Sequence, residues 1–258
     1  MANAALLEVR DVSLTFGGIV ALADVSFHVR PRELFAIIGP NGAGKTSIFN
    51  CLNGVYRPQR GEIVFDGTPI TGRRPVTIAH MGMARTFQNL GLFSTLTVLE
   101  NVMLGRHHLM HTGFLAGAVW LGKARGEELH ERKRCEEIIE LMELEPYRFS
   151  PVGLLPYGVR KRVEVARAMA MEPKLLLLDE PAAGMNLEET EDMARYIREI
   201  NEEWQVPIVL VEHDLQMVMD LAHTVMAMDF GRVIRIGAPA DVRDDTSVVR
   251  AYVGGKKE

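Results

Sequence analysis

The decisive stretch of this chain is Gly39-Pro40-Asn41-Gly42-Ala43-Gly44-Lys45-Thr46, which fits the pattern G-x-x-x-x-G-K-[ST]. In that pattern the glycines let successive backbone N–H groups converge on phosphate oxygens. Lys45 adds a positive charge for the β- and γ-phosphates, and the Thr46 hydroxyl is placed to ligate Mg²⁺. The alternative is a glycine-rich turn that carries a lysine by chance.

The residues on either side of this phosphate loop, residues 39–46, favour the nucleotide interpretation. Leu34 to Ile38 is a short apolar run of the kind that forms a buried strand, and Thr46 to Leu52 is typical of a helix. A helix that begins here would direct the positive end of its dipole at the bound anion. We therefore expect ATP and Mg²⁺ at this loop, and we count Ser47 among the nucleotide-binding residues.

Composition sets the class of protein. The chain has 258 residues, of which 24% are charged and 47% hydrophobic, so it is long enough for one large α/β domain or two small ones. A net charge of −5 gives no general attraction to nucleic acid. Cys51 and Cys135 lack any paired spacing, which fits a reducing compartment. The sequence has no run of about 18 apolar residues, so we expect no membrane insertion.

The first third of the chain has the pattern of β-strands. Val25, Phe27 and Val29 alternate with polar residues, as in a half-buried antiparallel strand. The phosphate loop and its helix lie inside this β-rich region rather than in a simple βαβ repeat. The pattern therefore predicts a small β layer packed onto a nucleotide-binding core.

Helices are predicted next, and alternating strands and helices after them. Thr97 to Glu100 is a capping-box pattern, and residues 127–145 and 158–171 have helical spacing. The later elements are two apolar strands, one capped helix between them and a final pair of strands: Leu175 to Leu178, Ile208 to Val211, a helix after Asn186, and residues 224–236.

A second motif for phosphate chemistry is LLLLDEP, from Leu175 to Pro181. Asp179 ends an apolar strand, where a carboxylate can hold the water shell of Mg²⁺. Glu180 follows it and is placed to activate an attacking water. Taken alone, the motif could be a strand that ends in solvated acids.

Between these motifs lies LPYGVRKR, from Leu155 to Arg162. A glycine near the start of a helix leaves backbone N–H groups free for an anion. Three cations in the first turn, Arg160 to Arg162, oppose the helix dipole. We interpret them as the sign of a polyanion bound nearby, with ordinary surface charge as the alternative.

The order of phosphate loop, Gln88, glycine-led helix, LLLLDEP and His213 resembles the ATP-binding-cassette (ABC) ATPases over nearly the whole chain. The resemblance implies an α/β fold: a P-loop NTPase core with an antiparallel β subdomain and an inserted helical subdomain. It implies one domain over residues 1–258, in which 1–88 and 172–258 form the core with the β subdomain. Residues 89–171 would form the helical subdomain.

The resemblance also implies roles for individual residues. Phe16 would stack on adenine, and Gln88 would reach Mg²⁺ and the water at the γ-phosphate. Glu180 would be the general base, His213 would contact the γ-phosphate, and residues 182–186 would cross to a second subunit. From the residues alone, Phe16 could instead be a core aromatic, Gln88 a solvated turn residue, and His213 the neighbour of a helix cap.

In this family two subunits pair head to tail and hold ATP between the phosphate loop of one and an LSGGQ-like signature of the other. Here the signature segment is Leu155, Pro156, Tyr157, Gly158 and Val159, which we expect to contact nucleotide in the partner subunit. Proline replaces the serine, so a hydroxyl and a backbone N–H are lost. A lost charge-assisted donor costs about 1.5–3 kcal/mol. We therefore predict weaker or slower closure on ATP than a full signature gives.

Several segments resemble the ATPase subunits of branched-chain amino-acid importers. They are residues 16–22, residues 85–89 with Leu92 and Phe93, residues 181–186, the insertion from Arg106 to Gly126, and Tyr157 in the signature segment. The implied partners are an identical or paralogous ATPase and two membrane permeases, at the cytoplasmic face of the inner membrane. Relatives that serve urea, amides, aromatic acids or lipopolysaccharide export remain alternatives.

Two further functions and one possible metal site remain alternatives. The chain could be a regulatory ABC subunit with low turnover, which the altered signature favours, or a soluble ABC ATPase of translation or DNA repair. Its single cassette and acidic balance disfavour the second.

A metal site at His107, His108 and His111 lacks partnering ligands at a suitable spacing. Met103 and Met110 are candidate contacts for a membrane subunit.

Overall fold

The computed structural model describes residues 5–86, 91–106 and 123–254. Within them, ten strands form two sheets. In chain order the strands are β1 (Leu7–Phe16), β2 (Ile19–Val29), β3 (Leu34–Ile38), β4 (Arg60–Phe65), β5 (Thr68–Pro69), β6 (Met83–Arg85), β7 (Leu175–Asp179), β8 (Ile208–Val211), β9 (Thr224–Asp229) and β10 (Arg232–Gly237).

One sheet is antiparallel and has the order β2-β1-β4-β5. The other has the order β10-β9-β3-β8-β7-β6, in which only the β9–β10 pair is antiparallel. The predicted combination of a β layer with an α/β core is therefore confirmed.

The described helices connect the strands and cover the larger sheet. They are α1 (Lys45–Leu52), α2 (Pro75–His80), α3 (Val98–Arg106), α4 (Lys123–Leu141), α5 (Tyr157–Met169), α6 (Leu187–Glu202), α7 (Leu215–Leu221), α8 (Pro239–Arg243) and α9 (Thr246–Gly254). Among these helices, none has the length and apolar composition that crossing a bilayer requires.

The central strands are apolar at every position because both faces of the larger sheet are covered. In β3, Phe35 and Ile37 pack with α1 and the antiparallel sheet, whereas Ala36 and Ile38 pack with α7, α8 and α9. Strand β7 alternates in the same way between the antiparallel sheet and the helices that precede it. These strands are therefore held rigidly, which fixes the loops at their ends.

Most local predictions agree with the structure. Thr97 and Glu100 form the predicted capping box, and so do Asn186 and Glu189 at the start of α6. The helix predicted from residue 127 begins earlier, at Lys123, and ends at Leu141. The predicted insertion from Arg106 to Gly126 lies largely outside the described residues, as do His107, His108, His111 and Met110.

Candidate nucleotide site

Three adjacent parallel strands bring the site together at their carboxyl ends. In the register of the sheet, Val211 of β8 lies opposite both Ile37 of β3 and Asp179 of β7. The residues that follow these positions must therefore emerge at the same edge of the sheet. The phosphate loop, Glu180 and His213, which are far apart in sequence, become neighbours for this reason.

The phosphate loop has glycine where the backbone allows no side chain. A Cβ on Gly39 would lie 2.3 Å from the carbonyl oxygen of Met228. Gly44 has a φ of +102° and, as the N-cap of α1, offers no side chain to cap that helix. The first-turn N–H groups of α1 are thus available to an anion, as the motif predicts.

Lys45 folds back over this loop. Its side chain is buried, and its Nζ donates to the carbonyl oxygens of Gly39 at 2.7 Å and Pro40 at 3.1 Å. Burial lowers the pKa of Lys45, while the carboxylates of Glu180 and Asp179 oppose that change. Thr46 is exposed at the start of α1 and Ser47 is half-buried, so both are accessible beside the loop.

Asp179 is completely buried at the end of β7, and one of its oxygens has a cationic partner. Its Oδ2 accepts a hydrogen bond from Nη2 of Arg85 at 2.7 Å. Arg85 also donates to the side chain of Asn50 in α1 at 2.7 Å. Oδ1 of Asp179 is buried and has no hydrogen-bond partner within the part of the chain that the structure describes. A carboxylate oxygen in that condition fits the ligand position of a hard cation.

Glu180 and His213 contact each other directly. Nε2 of His213 lies 2.7 Å from Oε1 of Glu180, and both side chains reach solvent. Glu180 has a φ of +51°, a left-handed conformation that is uncommon for a residue with a side chain. Its backbone N–H donates to the carbonyl of Val211 at 2.9 Å, which ties the loop after β7 to β8.

Two buried charged side chains hold the backbone around Glu180: Lys161, whose charge the sequence assigned to a polyanion site, and Glu212, which sequence reasoning missed. Lys161 of α5 is buried beside Glu164, and its Nζ donates to the carbonyl oxygen of Glu180 at 3.3 Å. Glu212 is buried and accepts backbone N–H groups from Ala182 at 2.8 Å and His213 at 2.9 Å. A signal for Glu212 was present, because it follows an apolar strand just as the acids of LLLLDEP do.

The signature segment is divided between core and surface. Leu155, Gly158 and Val159 are buried, whereas Pro156 and Tyr157 are exposed. The side chains at 155 and 159 therefore pack in the core of the subunit. Only the exposed residues Pro156 and Tyr157, and the backbone of the segment, are placed to contact a nucleotide. Tyr157 stands next to residue 184, where an added Cβ would lie 3.3 Å from its ring.

The interpretation of the three cations at 160–162 as a polyanion site is wrong for two of them. Lys161 is engaged at Glu180, as described above. Arg162 donates to the carbonyl of Met142 at 3.2 Å and to the hydroxyl of Tyr196 at 3.2 Å, and so caps the end of α4. These charges are used within the subunit, and Arg160 alone stands beside the exposed Tyr157 ring, at 5.8 Å.

The remaining predicted residues have the following positions. Phe16 ends β1, is 46% exposed and meets the ring of Tyr56 edge-on at 5.0 Å, so it is not a core aromatic. Asp214 caps α7 directly after His213, so that histidine is indeed the neighbour of a helix cap as well as the partner of Glu180. Gln88 lies outside the described residues.

Comparisons with known proteins agree with this architecture. The family profile described as "ABC transporter" matches residues 22–183. The high-affinity branched-chain amino acid transport ATP-binding protein BraF of Pseudomonas aeruginosa is 38% identical over 249 residues, 96% of this chain and 98% of that protein. The corresponding protein LivG of Escherichia coli K12 is 36% identical over 249 residues, again 96% and 98% of the two chains.

Solved structures show the same fold. An ATP-binding cassette of an ABC transporter in its ADP conformation superposes with a TM-score of 0.84 at 26% identity, over 97% of this chain and 99% of that one. A dimeric ATP-binding cassette in a post-hydrolysis state, bound to ADP and Pi, gives a TM-score of 0.75 at 25% identity, over 90% and 98%.

A chain with this fold, this edge of strand ends and this phosphate loop is a nucleotide-binding P-loop ATPase. It belongs to the ABC transporter family and is the ATP-hydrolysing subunit of such a transporter.

Proposed function

We propose that the chain energises uptake of branched-chain amino acids or a similar small solute through partner permeases, with Glu180 as the general base. The observation that carries the mechanism is the contact of Glu180 with His213 at the strand edge where the phosphate loop lies. Glu180 would take the proton of the attacking water, while His213 contacts the γ-phosphate and orients the carboxylate. Gln88 would hold the same water.

Charge neutralisation by this chain would supply most of the barrier lowering. The buried ammonium of Lys45 would exchange its carbonyl acceptors for β- and γ-phosphate oxygens. The N–H groups at the start of α1 would receive the same phosphates, and Phe16 would stack on the adenine from the exposed end of β1.

Mg²⁺ is the cofactor that the residues fit. The Thr46 hydroxyl, Gln88 and Oδ1 of Asp179 would hold it, directly or through its waters. The ion would neutralise charge on the transferred phosphoryl group. Arg85 keeps Oδ2 of Asp179 engaged, so Oδ1, which has no partner among the described residues, would be the oxygen offered to the ion.

A second ABC ATPase subunit, identical or paralogous, would complete the site in a head-to-tail dimer. Large apolar side chains are exposed beside the segments that would face it: Leu154, 82% exposed, precedes the signature segment, and Leu187, 75% exposed, follows residues 182–186. Pro156 and Tyr157 are exposed between them. Such a surface favours a protein partner over solvent.

Two transmembrane permeases are the further partners we propose, with the chain at the cytoplasmic face of the inner membrane. A groove of about 590 Å³ opens between α2 and the end of β6 on one side and helices α3 and α5 on the other. It is lined mainly by apolar side chains, among them Val76, Phe93 and Leu104, which are 60%, 57% and 41% exposed. The groove separates the proposed helical subdomain, residues 89–171, from the core, so a permease helix seated there would sense their relative movement.

Solute uptake tests the substrate. Cells that lack this chain but keep its permeases should regain saturable leucine uptake with the wild-type chain and not with a Lys45→Ala variant. Labelled urea, an amide and an aromatic acid, measured alongside, identify the competing substrates. Restored uptake of one of these without leucine uptake would overturn the branched-chain assignment.

A further inference from the structure

We infer that Glu212 is a positioning residue for ATP hydrolysis: its buried carboxylate clamps the loop that carries Glu180 to the loop that carries His213. This inference rests on the roles proposed above for those two residues. Three observations support it, namely the two backbone bonds, the position of the clamp in the sheet, and the conformation that it helps to hold.

The carboxylate of Glu212 makes one bond to each loop. Oε1 accepts the N–H of Ala182, two residues after Glu180, at 2.8 Å. Oε2 accepts the N–H of His213 at 2.9 Å. The side chain is only 3% exposed, so water does not compete strongly for these bonds.

The clamp closes a small ring of contacts. Strand pairing fixes Asp179 opposite Val211, and the N–H of Glu180 bonds to the carbonyl of Val211. Beyond that point the two loops leave the ladder, and Glu212 replaces the lost strand pairing. The Glu180–His213 contact at 2.7 Å lies at the open side of the ring. Its geometry therefore depends on both bonds of Glu212.

A carboxylate suits this position better than an amide of the same shape. Both backbone partners are donors, and each oxygen of a carboxylate accepts one of them. A glutamine has one acceptor oxygen, so its amide nitrogen would face an N–H group. Burial raises the pKa of Glu212, and the two backbone bonds oppose that rise.

Clamping matters because Glu180 has an unfavourable backbone conformation. A residue with a side chain at φ +51° persists only when its surroundings hold it there. Loosening the loop would allow Glu180 to relax and move away from His213. A displacement of about 1 Å at a reacting group can cost about 100-fold in rate.

The test is Glu212→Gln in the assembled transporter. We expect kcat to fall about 10- to 100-fold, with KM for ATP within about twofold, because the phosphate loop is untouched. We also expect non-additivity with His213→Ala. In the Glu212→Gln background that change should cost at least about tenfold less than in wild type, because the contact is already lost.

Glu33 provides a matched control. It is 8% exposed and accepts two hydrogen bonds, from the Arg30 N–H at 2.7 Å and the Thr224 hydroxyl at 2.6 Å. It precedes β3, at the edge of the sheet opposite the phosphate loop. Glu33→Gln should lower Tm as Glu212→Gln does and leave kcat within about twofold.

Three results bear on the inference. An unchanged kcat in Glu212→Gln, with Tm lowered as in the control, would show that the residue is only structural. Losses that multiply independently with His213→Ala would also overturn the inference. If Glu212→Gln does not accumulate in folded form, Glu212→Asp is measured instead, because it retains both acceptor oxygens on a shorter side chain. In that variant too, kcat should fall while KM for ATP stays within about twofold.

Failure of the inference is distinguishable from failure of the proposed mechanism. Glu180→Gln and His213→Ala, measured on the same preparation, test the mechanism itself. If both abolish turnover and Glu212→Gln leaves kcat unchanged, only the clamp is wrong.

Discussion

At the scale of single residues, Asp179 and Glu212 stand at equivalent ends of neighbouring apolar strands but have different surroundings. Arg85 binds one oxygen of Asp179, whereas backbone N–H groups bind both oxygens of Glu212. Among the described residues, Oδ1 of Asp179 thus has no hydrogen-bond partner, whereas both oxygens of Glu212 have one. Asp179 is therefore placed to bind a cation, whereas Glu212 is placed to hold two backbone segments together.

Gly39 and Gly42 offer a direct test of the phosphate loop. An alanine Cβ at 39 would lie 2.3 Å from the Met228 carbonyl, whereas one at 42 would meet no atom within 4 Å among the described residues other than its chain neighbours. We expect Gly39→Ala to displace the loop and weaken ATP binding at least tenfold. Gly42→Ala should cost only about 1 kcal/mol of stability for its positive φ. Fluorescent-ATP titration and thermal melts measure both, and equal losses of affinity would contradict the steric account.

Glu143 gives a prediction about pH. The hydroxyl of Tyr196, which donates to it at 2.9 Å, lowers the pKa of Glu143, and Arg195 adds to that effect. The folded state therefore binds this proton more weakly than the unfolded state. The stabilisation is present above the ordinary pKa of 4.5 and is lost as pH falls through the lower folded value.

Urea unfolding of wild type and Glu143→Gln measures this effect. The stability difference between them should shrink as the pH falls from 7 to below about 4, and it should shrink less in a Tyr196→Phe background. A difference that grows on acidification would reverse the assigned sign.

At the scale of elements, local sequence predicted buried strands and capped helices, whereas contacts between residues far apart in sequence were visible only in the structure. The run Leu175 to Leu178 and the capping boxes at Thr97 and Asn186 were predictable, because strand burial and helix capping depend on neighbouring residues. The inward direction of Lys161 was not, because it depends on Glu180 lying beneath α5. Arg85 and Asp179 pair across 94 positions for the same reason.

Pro156 links the altered signature to helix α5. It is the N-cap residue of α5 and makes no side-chain capping bond. Pro156→Ser should therefore stabilise the helix by about 1 kcal/mol and restore a donor at the exposed surface. We predict a higher ATPase rate or apparent ATP affinity in the assembled complex.

A thermal melt of the isolated Pro156→Ser subunit measures the stability that the serine cap adds. If Tm rises while neither ATPase rate nor apparent affinity improves, the prediction of weakened closure is wrong.

At the scale of the whole molecule, the apolar groove connects ATP chemistry to a membrane partner. Phe93→Glu places a charge in the groove at a side chain that is 57% exposed, so the isolated chain should fold normally. Co-purification with the permeases should be lost, because the charge would be desolvated on docking. Phe149→Glu, at a side chain 65% exposed outside the groove, is the matched control.

Binding of the permeases by Phe93→Glu at the level of Phe149→Glu would contradict this assignment of the groove. Loss in both variants would point to general destabilisation, which thermal melts of the isolated chains would reveal.

The most direct test of the central claim is the ATPase rate of the assembled transporter with Glu180→Gln, measured beside Glu202→Gln at an exposed position in α6. We predict that Glu180→Gln lowers kcat by about 100-fold or more while ATP binding persists, because general base catalysis is removed and the phosphate loop is intact. Glu202→Gln should match wild type. A Glu180→Gln transporter that hydrolyses ATP within about twofold of wild type would contradict the account and favour a nucleotide-binding switch.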